Sequence, residues 1–153
     1  MEPKDLIVSR SPFNEQVGYR LVEWREDFAR VELDVREDHT NRRAVSHGGV
    51  LMTIIDAAGG YSGTFCDHPG RTRMCVTVSL TTEFVRPART GERLSAVARR
   101  RGGGRGLFPS TIEVHDQHGH LIALGQGIYR YVKGSGAPEG IPGRDSTEDD
   151  GAS

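Results

Sequence analysis

One carboxylate stands in an apolar stretch of the sequence and is a candidate for chemistry. Asp56 follows Ile54 and Ile55 and precedes Ala57 and Ala58. Burying a carboxylate among such neighbours without a partner is unfavourable. A carboxylate in this setting can act as a general base or as a nucleophile. Alternatively, Asp56 caps a loop N–H or pairs with an arginine and is structural, and both interpretations stay open at this point.

The sequence His47-Gly48-Gly49 begins the same stretch and suggests a group that stabilises negative charge. The first turn of a helix has backbone N–H groups without partners and a partial positive charge. Gly48 has no side chain to keep a substrate away from its N–H, which could therefore bind a carbonyl oxygen that becomes negative in a transition state. The alternative is that the two glycines only form a tight turn into the helix.

The spacing places these two groups on different sides of one helix. Asp56 follows His47 by nine positions, which is about two and a half turns and more than about 10 Å along the axis. One copy of the helix therefore cannot easily bring both groups to the same carbonyl. Two antiparallel copies related by a two-fold axis can do so, and they would form two equivalent sites between subunits.

One helix and several strands must position these groups. Alternating apolar and polar residues predict a hairpin over 19–24 and 28–35, followed by a loop over 36–46. From His47 the sequence predicts a helix whose pattern weakens toward Cys66. This helix should be buried on most sides because apolar or small residues lie almost all round it. Four further strands are predicted at Met74–Val85, Glu92–Arg101, Leu107–Asp116 and His120–Val132.

The connections between these strands are short, which predicts an antiparallel sheet with one face covered by the helix. The fold class is therefore α+β, with an antiparallel sheet of five to six strands wrapped around one long central helix. Pro109 lacks an N–H for pairing, so its strand should start late or lie at an edge there. Residues 1–132 form the predicted domain, and the acidic, Gly/Pro-rich residues 133–153 are predicted to be a disordered tail.

Composition argues against several classes of function. The whole chain has a net charge of −1 and residues 133–153 one of −3, so residues 1–132 carry about +2, which is too weak for a general nucleic-acid surface. The arginine-glycine segment 99–105 is too short for RNA binding and lacks aromatic residues. The sequence has no apolar run long enough for a membrane span, no apolar signal-peptide core at its start and two cysteines, so we expect a cytoplasmic protein. The histidines at 115, 118 and 120 alternate in direction along a strand, and no metal site is predicted.

The order and spacing of several short motifs resemble one known family. These motifs are His39-Thr40-Asn41, His47-Gly48-Gly49, Asp56, Pro87-Ala88 and Gly91. Over residues 12–132 they resemble the hotdog-fold acyl-CoA thioesterases of the PaaI-like branch, within the 4-hydroxybenzoyl-CoA thioesterase superfamily. The resemblance implies the hotdog fold and hydrolysis of an acyl-CoA thioester.

The resemblance also implies a role for each catalytic position. Asp56 matches the catalytic carboxylate, and the Gly48 N–H matches the group that polarises the thioester carbonyl. Asn41 matches an asparagine that assists at this carbonyl or positions water, Thr77 matches a residue that holds the attacking water, and His47 matches a histidine beside the thioester. Some relatives carry a further histidine where this sequence reads Gly125-Gln126-Gly127, so assistance to the leaving group from that side is not implied here.

Substrate contacts are predicted at two places. Gly49 and Pro87 accompany the motifs, and Arg86, Arg89 and Arg105 are candidates for the coenzyme A phosphates because the guanidinium group suits phosphate oxygens. Leu107 and Phe108 either line an acyl pocket or belong to the core.

The predicted function is therefore an acyl-CoA thioesterase acting on a small aryl- or medium-chain acyl group. We expect it to be a homo-oligomer, a dimer or a dimer of dimers, with active sites between subunits, and to need no cofactor or metal. The alternatives are a non-catalytic acyl-CoA binding module and a hotdog dehydratase or hydratase.

Overall fold

A computed structural model describes residues 11–143. Across this range the chain forms two α-helices, a short 3-10 turn at Glu37–His39 and eight strands. The helices are α1 (Pro12–Val17) and α2 (Gly48–Ser62), and the strands are β1 (Arg20–Arg25), β2 (Phe28–Asp34), β3 (Arg71–Thr72), β4 (Cys75–Phe84), β5 (Arg93–Arg100), β6 (Leu107–Asp116), β7 (Leu121–Tyr131) and β8 (Ile141–Pro142).

In this part of the chain six strands form one antiparallel sheet in the order β1-β2-β5-β6-β7-β4, and β3 pairs with β8. Helix α2 contacts all six strands of the large sheet. The predicted fold class, an antiparallel sheet wrapped around one long central helix, is confirmed. The six strands of the large sheet also begin and end within about two residues of their predicted limits, whereas α1, β3 and β8 were not predicted.

The inner strands show why the sheet curls around α2. In β2, Ala29, Val31 and Leu33 are fully buried against the helix side, while the alternate residues face outward. Strands β5 and β6 alternate in the same way. Helix α2 contributes Ile54 and Ile55 to the same core. Burial of these apolar faces is the main favourable contribution to folding.

Strand β4 differs because it lies at the edge of the sheet and is irregular. Its pairing with β7 shifts register between Thr77 and Ser79, which is a β-bulge. Cys75 and Thr77 contact α2 before the bulge, and Leu80 packs on the core after it. An uninterrupted strand would place Thr77 and Leu80 on opposite faces, so the bulge is what turns both toward the helix.

Pro109 lies within β6, which begins at Leu107 and has β5 and β7 on either side. The expectation of a late start is therefore wrong. The strand accommodates the proline because Pro109 faces Arg101, one residue beyond the end of β5, where its carbonyl accepts the Arg101 N–H at 2.9 Å. The missing N–H thus removes no bond from the regular ladder.

The prediction of disorder over 133–153 is wrong for residues 133–143, which pack on the folded domain. Strand β8 pairs with β3, and the guanidinium groups of Arg71 and Arg73 donate to backbone carbonyls of this segment, those of Ser135, Gly136, Glu139 and Gly140. Composition indicates disorder, but these long-range contacts order the segment. Residues 144–153 lie outside the described residues, so that part of the prediction stays untested. No helix within residues 11–143 is long and apolar enough to cross a membrane.

Candidate active site

Asp56 and Thr77 meet where the bulged strand passes the middle of α2. The Thr77 hydroxyl donates to Asp56 Oδ1 at 2.7 Å, and Asp56 Oδ2 accepts no hydrogen bond from residues 11–143. A hydrogen bond to an ionised acceptor is strong and fixes its orientation. The arrangement orients the carboxylate through Oδ1 and leaves Oδ2 free to take a proton, in a residue that is partly buried.

Tyr129 supports Asp56 from behind. Its hydroxyl donates to the Asp56 backbone carbonyl at 3.2 Å, and burial, with the nearby Asp56 charge, raises the pKa of the Tyr129 phenol well above its usual range. The phenol is therefore a protonated donor at neutral pH. A Cβ at Gly59 or Gly127 would overlap the Tyr129 side chain, so these glycines are what allow β7 to bring the tyrosine under the helix.

A cavity of about 300 Å³ opens beside the Asp56 carboxylate. Its wall is mainly apolar, with Asp56 as the only charged group among its lining residues within 11–143: Phe13, Tyr19, Met52, Thr53, Ala57 and Leu80. The sequence analysis did not identify these residues. Phe13 lies on α1, which carries no strong sequence period, and Leu80 faces the cavity only because of the bulge.

A second cavity, of about 350 Å³, lies at the start of α2 and includes Gly48, Phe84, Arg86 and Pro87 in its wall. His47 is the N-cap, and its Nδ1 accepts the Gly49 N–H at 2.9 Å. The Gly48 N–H donates to no acceptor within residues 11–143. The cap thus occupies the donor of Gly49 and leaves the donor of Gly48 for a ligand.

Asn41 lies in the loop before α2, in a turn that fixes its side chain. Its Oδ1 accepts the Arg43 N–H at 2.8 Å, and its own N–H donates to the Val45 carbonyl at 2.9 Å. The side-chain NH₂ group has no acceptor within the described residues. The bond to Arg43 fixes the orientation of the amide, so the Asn41 NH₂ group is available to donate to a ligand carbonyl.

The two cavities are separate in one chain. Among the described residues none lines both of them, and the eight positions from Gly48 to Asp56 correspond to about 12 Å of helix axis. A carbonyl bound at Gly48 therefore does not reach Asp56 of the same chain. The structure brings Asp56 to Thr77, and it brings Gly48 to Arg86 and Pro87.

The remaining arginines that were predicted to bind the coenzyme A phosphates lie at opposite ends of β5. Arg89 is exposed in the loop before β5, where its N–H donates to the Glu92 carboxylate at 2.6 Å. Arg105 is exposed in the loop after it, and β5 is about 25 Å long at the usual rise per residue. One chain therefore does not bring Arg105 together with Arg86 and Arg89.

Of the two alternatives left open for Phe108, acyl pocket or core, the structure supports the core. Its side chain is fully buried and stacks on Tyr129 with ring centres 5.1 Å apart and on Tyr131 at 4.9 Å. Leu107 beside it is exposed and is not among the described residues that line either cavity. The alternation along β6 explains the difference, since neighbouring residues point to opposite faces.

Other reactive groups near these cavities have structural roles. Burial and, to a smaller extent, the Asp56 charge raise the pKa of the Cys75 thiol to about 12, so the thiol is not a nucleophile at neutral pH. The carboxylate of Asp116 accepts the backbone N–H groups of His118 and His120 at 2.9 Å each and orders that turn. Within residues 11–143 no group of three or more His, Cys, Asp or Glu side chains is placed to hold a metal ion.

Comparisons with known proteins agree with this fold. The family described as the thioesterase superfamily matches residues 44–123. The chain is 30% identical over 128 residues to a protein of Archaeoglobus fulgidus named provisionally as an esterase, covering 83% of this chain and 80% of that one. It is 29% identical over 119 residues to the acyl-coenzyme A thioesterase PaaI of Escherichia coli, covering 78% and 81%. The solved structure of the E. coli PaaI protein from the phenylacetic acid degradation operon superimposes with a TM-score of 0.71 at 27% identity, covering 80% of this chain and 86% of that one.

Proposed function

The chain belongs to the thioesterase superfamily as a PaaI-like member with the hotdog fold, and from this premise we propose that it hydrolyses an acyl-CoA thioester to the free acid and CoA. The observation that carries the proposal is the contact between Thr77 and Asp56, 2.7 Å long, beside a mainly apolar cavity. A carboxylate held by one oxygen, with the other oxygen free next to space for an acyl group, is suited to activate water.

The proposed reaction uses Asp56 as the general base. Oδ2 takes a proton from a water molecule as the water oxygen attacks the thioester carbonyl carbon. The C–S bond then breaks, the acid is released, and the CoA thiolate takes up the proton that Asp56 received, which restores the carboxylate. Thr77 donates to Oδ1 and still has lone pairs that can accept a hydrogen bond from the attacking water. In the alternative route Asp56 attacks the carbonyl directly, and an acyl group found on Asp56 after rapid quenching would assign that route.

A second copy of the chain supplies the group that stabilises the oxyanion. The separation of Gly48 from Asp56 in one chain supports this arrangement, because the carbonyl must contact both. The Gly48 N–H and the Asn41 side-chain NH₂ of the second copy are the proposed donors, and removal of one such donor costs about 10²- to 10³-fold in rate. The exposed apolar edge strand β4, with Val76 and Val78 each more than half exposed, supports a two-fold contact at this edge.

The apolar wall beside Asp56 supports a small aryl- or medium-chain acyl group as the substrate. Arg86 lines the cavity at Gly48, and Arg89 follows shortly after it; both are proposed to bind the CoA phosphates. No cofactor or metal takes part in this reaction scheme, since the carboxylate and the backbone donor supply the base and the oxyanion site. A cytoplasmic location stays a prediction.

Release of free thiol from a panel of acyl-CoA thioesters tests the proposal. We expect the wild type to hydrolyse one or more of them and Asp56→Ala to lose at least about 10³-fold of kcat/KM, because the base is gone. Glu113→Ala, which removes an exposed carboxylate from β6, is the control and should keep its activity. Equal rates for Asp56→Ala and the wild type would overturn the assignment, and tight acyl-CoA binding without turnover would favour a binding module.

A further inference from the structure

Helix α1 is held firmly although, within the described residues, it buries none of its own side chains. The Arg36 guanidinium donates to the carbonyls of Gln16 at 2.7 Å and Val17 at 3.2 Å. These carbonyls belong to the last turn of α1, where a helix leaves acceptors without partners. Hydrogen bonds from Arg36 therefore hold the end of this short helix, together with Val17, which is partly buried and packs against the main core.

His39 completes this attachment from a buried position. Its side chain is 4% exposed, its Nδ1 accepts the Arg36 N–H at 3.0 Å, and its Nε2 lies 2.9 Å from the Val17 carbonyl oxygen. Because Nδ1 is an acceptor, the neutral ring carries its proton on Nε2 and donates it to Val17. Arg36 is itself held by the Asp38 carboxylate at 3.0 and 3.1 Å. We call Arg36 and His39 the α1 latch.

The turn after α1 is built to fit the latch. Gly18 has a φ of +83°, a conformation that favours glycine. A Cβ at this position would also lie 2.6 Å from an Arg36 guanidinium nitrogen. Because Gly18 has no Cβ, the Arg36 guanidinium can lie against the turn at which the chain reverses direction and enters β1.

The latch places Phe13 in the wall of the Asp56 cavity. The ring is 57% exposed, and it lines the cavity together with Met52 and Asp56. An exposed phenyl ring gains free energy only when apolar surface covers it. Within the described residues the ring belongs to neither core cluster, and an acyl group bound beside Asp56 would cover part of its exposed apolar surface.

We propose that Phe13 determines acyl specificity as a wall of the Asp56 cavity and that Arg36 and His39 act as positioning residues for it. The ligand chemistry is an apolar acyl portion long or wide enough to reach the ring from a thioester carbonyl at Asp56. This inference rests on the proposed function. The latch also reaches the start of α2, since the His39 carbonyl accepts the His47 N–H at 2.8 Å, so one segment fixes both the acyl wall and the helix cap.

Steady-state kinetics with acetyl-, hexanoyl- and benzoyl-CoA tests this inference. Phe13→Ala is expected to raise KM for the two larger substrates about tenfold, because one apolar wall of the cavity is lost. For acetyl-CoA, kcat/KM should stay within about twofold of the wild type. Phe13→Leu should recover much of the loss because it restores apolar surface. Arg36→Ala should reproduce the pattern of Phe13→Ala at a smaller amplitude.

Two matched variants control for unspecific effects. Met74→Ala removes an exposed apolar side chain and Arg101→Ala an exposed arginine that bonds Thr111, and both should leave the substrate profile unchanged. Thermal denaturation of each variant verifies folding, and Phe13→Ala should keep the wild-type midpoint because its ring is mostly exposed.

The outcomes separate the inference from the proposed function. If Phe13→Ala changes all three substrates by the same factor, or none, Phe13 is not a specificity wall. If Phe13→Ala is selective and folded Arg36→Ala is not, the positioning role of the latch is overturned. If the wild type hydrolyses none of a wide panel of acyl-CoA thioesters, the proposed function itself fails and the inference fails with it.

Discussion

The inner strands and the edge strand β4 belong to one sheet, but they differ in how far a single chain buries their apolar residues. In β2, β5 and β6 every second residue is buried under α2, and charged or polar side chains cover the outer face. Strand β4, among the residues described, has no buried residue, although Val76, Val78 and Phe84 are apolar and more than half exposed.

The difference shows which part of the molecule carries the chemistry. The inner strands alternate regularly, pair on both sides and hold the core, but in the described residues they contribute no side chain to the Asp56 cavity. Strand β4 is bulged, has a free edge, and supplies Thr77 and Leu80 to the site. In β4 the bulge therefore accompanies the reactive group, as is common for bulges next to active sites.

Charging the edge of β4 should have the largest effect on function. The double variant Val76→Lys, Val78→Lys places two positive charges on the proposed two-fold contact, and lysine on an edge strand opposes pairing. We expect a species with the 16.8 kDa mass of one chain and a loss of about 10³-fold in kcat/KM, because the Gly48 donor of the second copy is removed. Analytical ultracentrifugation and thiol release measure the two effects.

Val97→Lys is the matched control for this variant. Val97 is the outward residue of β5, an inner strand, so its substitution should leave both mass and activity unchanged. A double variant that becomes a single chain and keeps full activity would contradict the placement of the site between copies. It would also remove the functional contrast between the two kinds of strand.

Removing core volume from an inner strand should have the next largest effect. Leu33 in β2 is fully buried, and Leu33→Ala is expected to lower the free energy of unfolding by about 3 kcal/mol, the transfer and cavity cost of such a truncation. Val76→Ala in β4 should cost less than about 1 kcal/mol, with both truncations made in a Val78→Lys background, which keeps Val76 and places a charge on the proposed two-fold contact. Urea denaturation of both proteins checks this, and equal costs would show that β4 is packed as tightly as β2.

The same contrast explains what the sequence could predict. Regular alternation places Val31 and Leu33 on one face without any knowledge of tertiary structure, so the strands and the central helix were predicted to within about two residues. The bulge at Thr77 leaves no such pattern. The match to the family indicated Thr77, whereas strand periodicity would have grouped it with Ser79 and away from Leu80.

Sequence reasoning also failed where the determining contacts are long-range. Glycine and proline after Lys133 indicate disorder by composition, but Arg71 and Arg73 fix that segment from 60 or more positions away. The sequence left Phe108 open between an acyl pocket and the core, and the structure buries it against Tyr129. The cavity wall instead includes Phe13, whose position depends on Arg36, a residue from a different part of the chain.

Truncating Thr77 should have a smaller effect than either change above. Thr77→Ala removes the hydrogen bond that orients Asp56. We expect kcat to fall about tenfold with KM unchanged, because the loss of one charge-assisted hydrogen bond has an effect of about this size. Thr77→Ser should recover most of the rate because it keeps the hydroxyl. Thr81→Ala, an exposed position on the same strand, is the control. A fall of the same size for Thr81→Ala would mean that β4 tolerates no truncation, and the specific role of Thr77 would be lost.

The smallest expected signal comes from Cys75, the first residue of β4 and one that faces α2. Burial, followed by the Asp56 charge, raises the pKa of its thiol to about 12, so at pH 8 the thiolate, which is the form that alkylates, is present at roughly one part in 10⁴. In a Cys66→Ser background, iodoacetamide at pH 8 should therefore label native protein very slowly and urea-unfolded protein readily, as read by intact mass. Rapid labelling of the native protein would mean that the helix-facing side of β4 is as open as its outer side. Slow labelling would indicate that β4 is accessible at its edge and outer face, where a second copy of the chain is proposed to bind, and not on the side that faces α2.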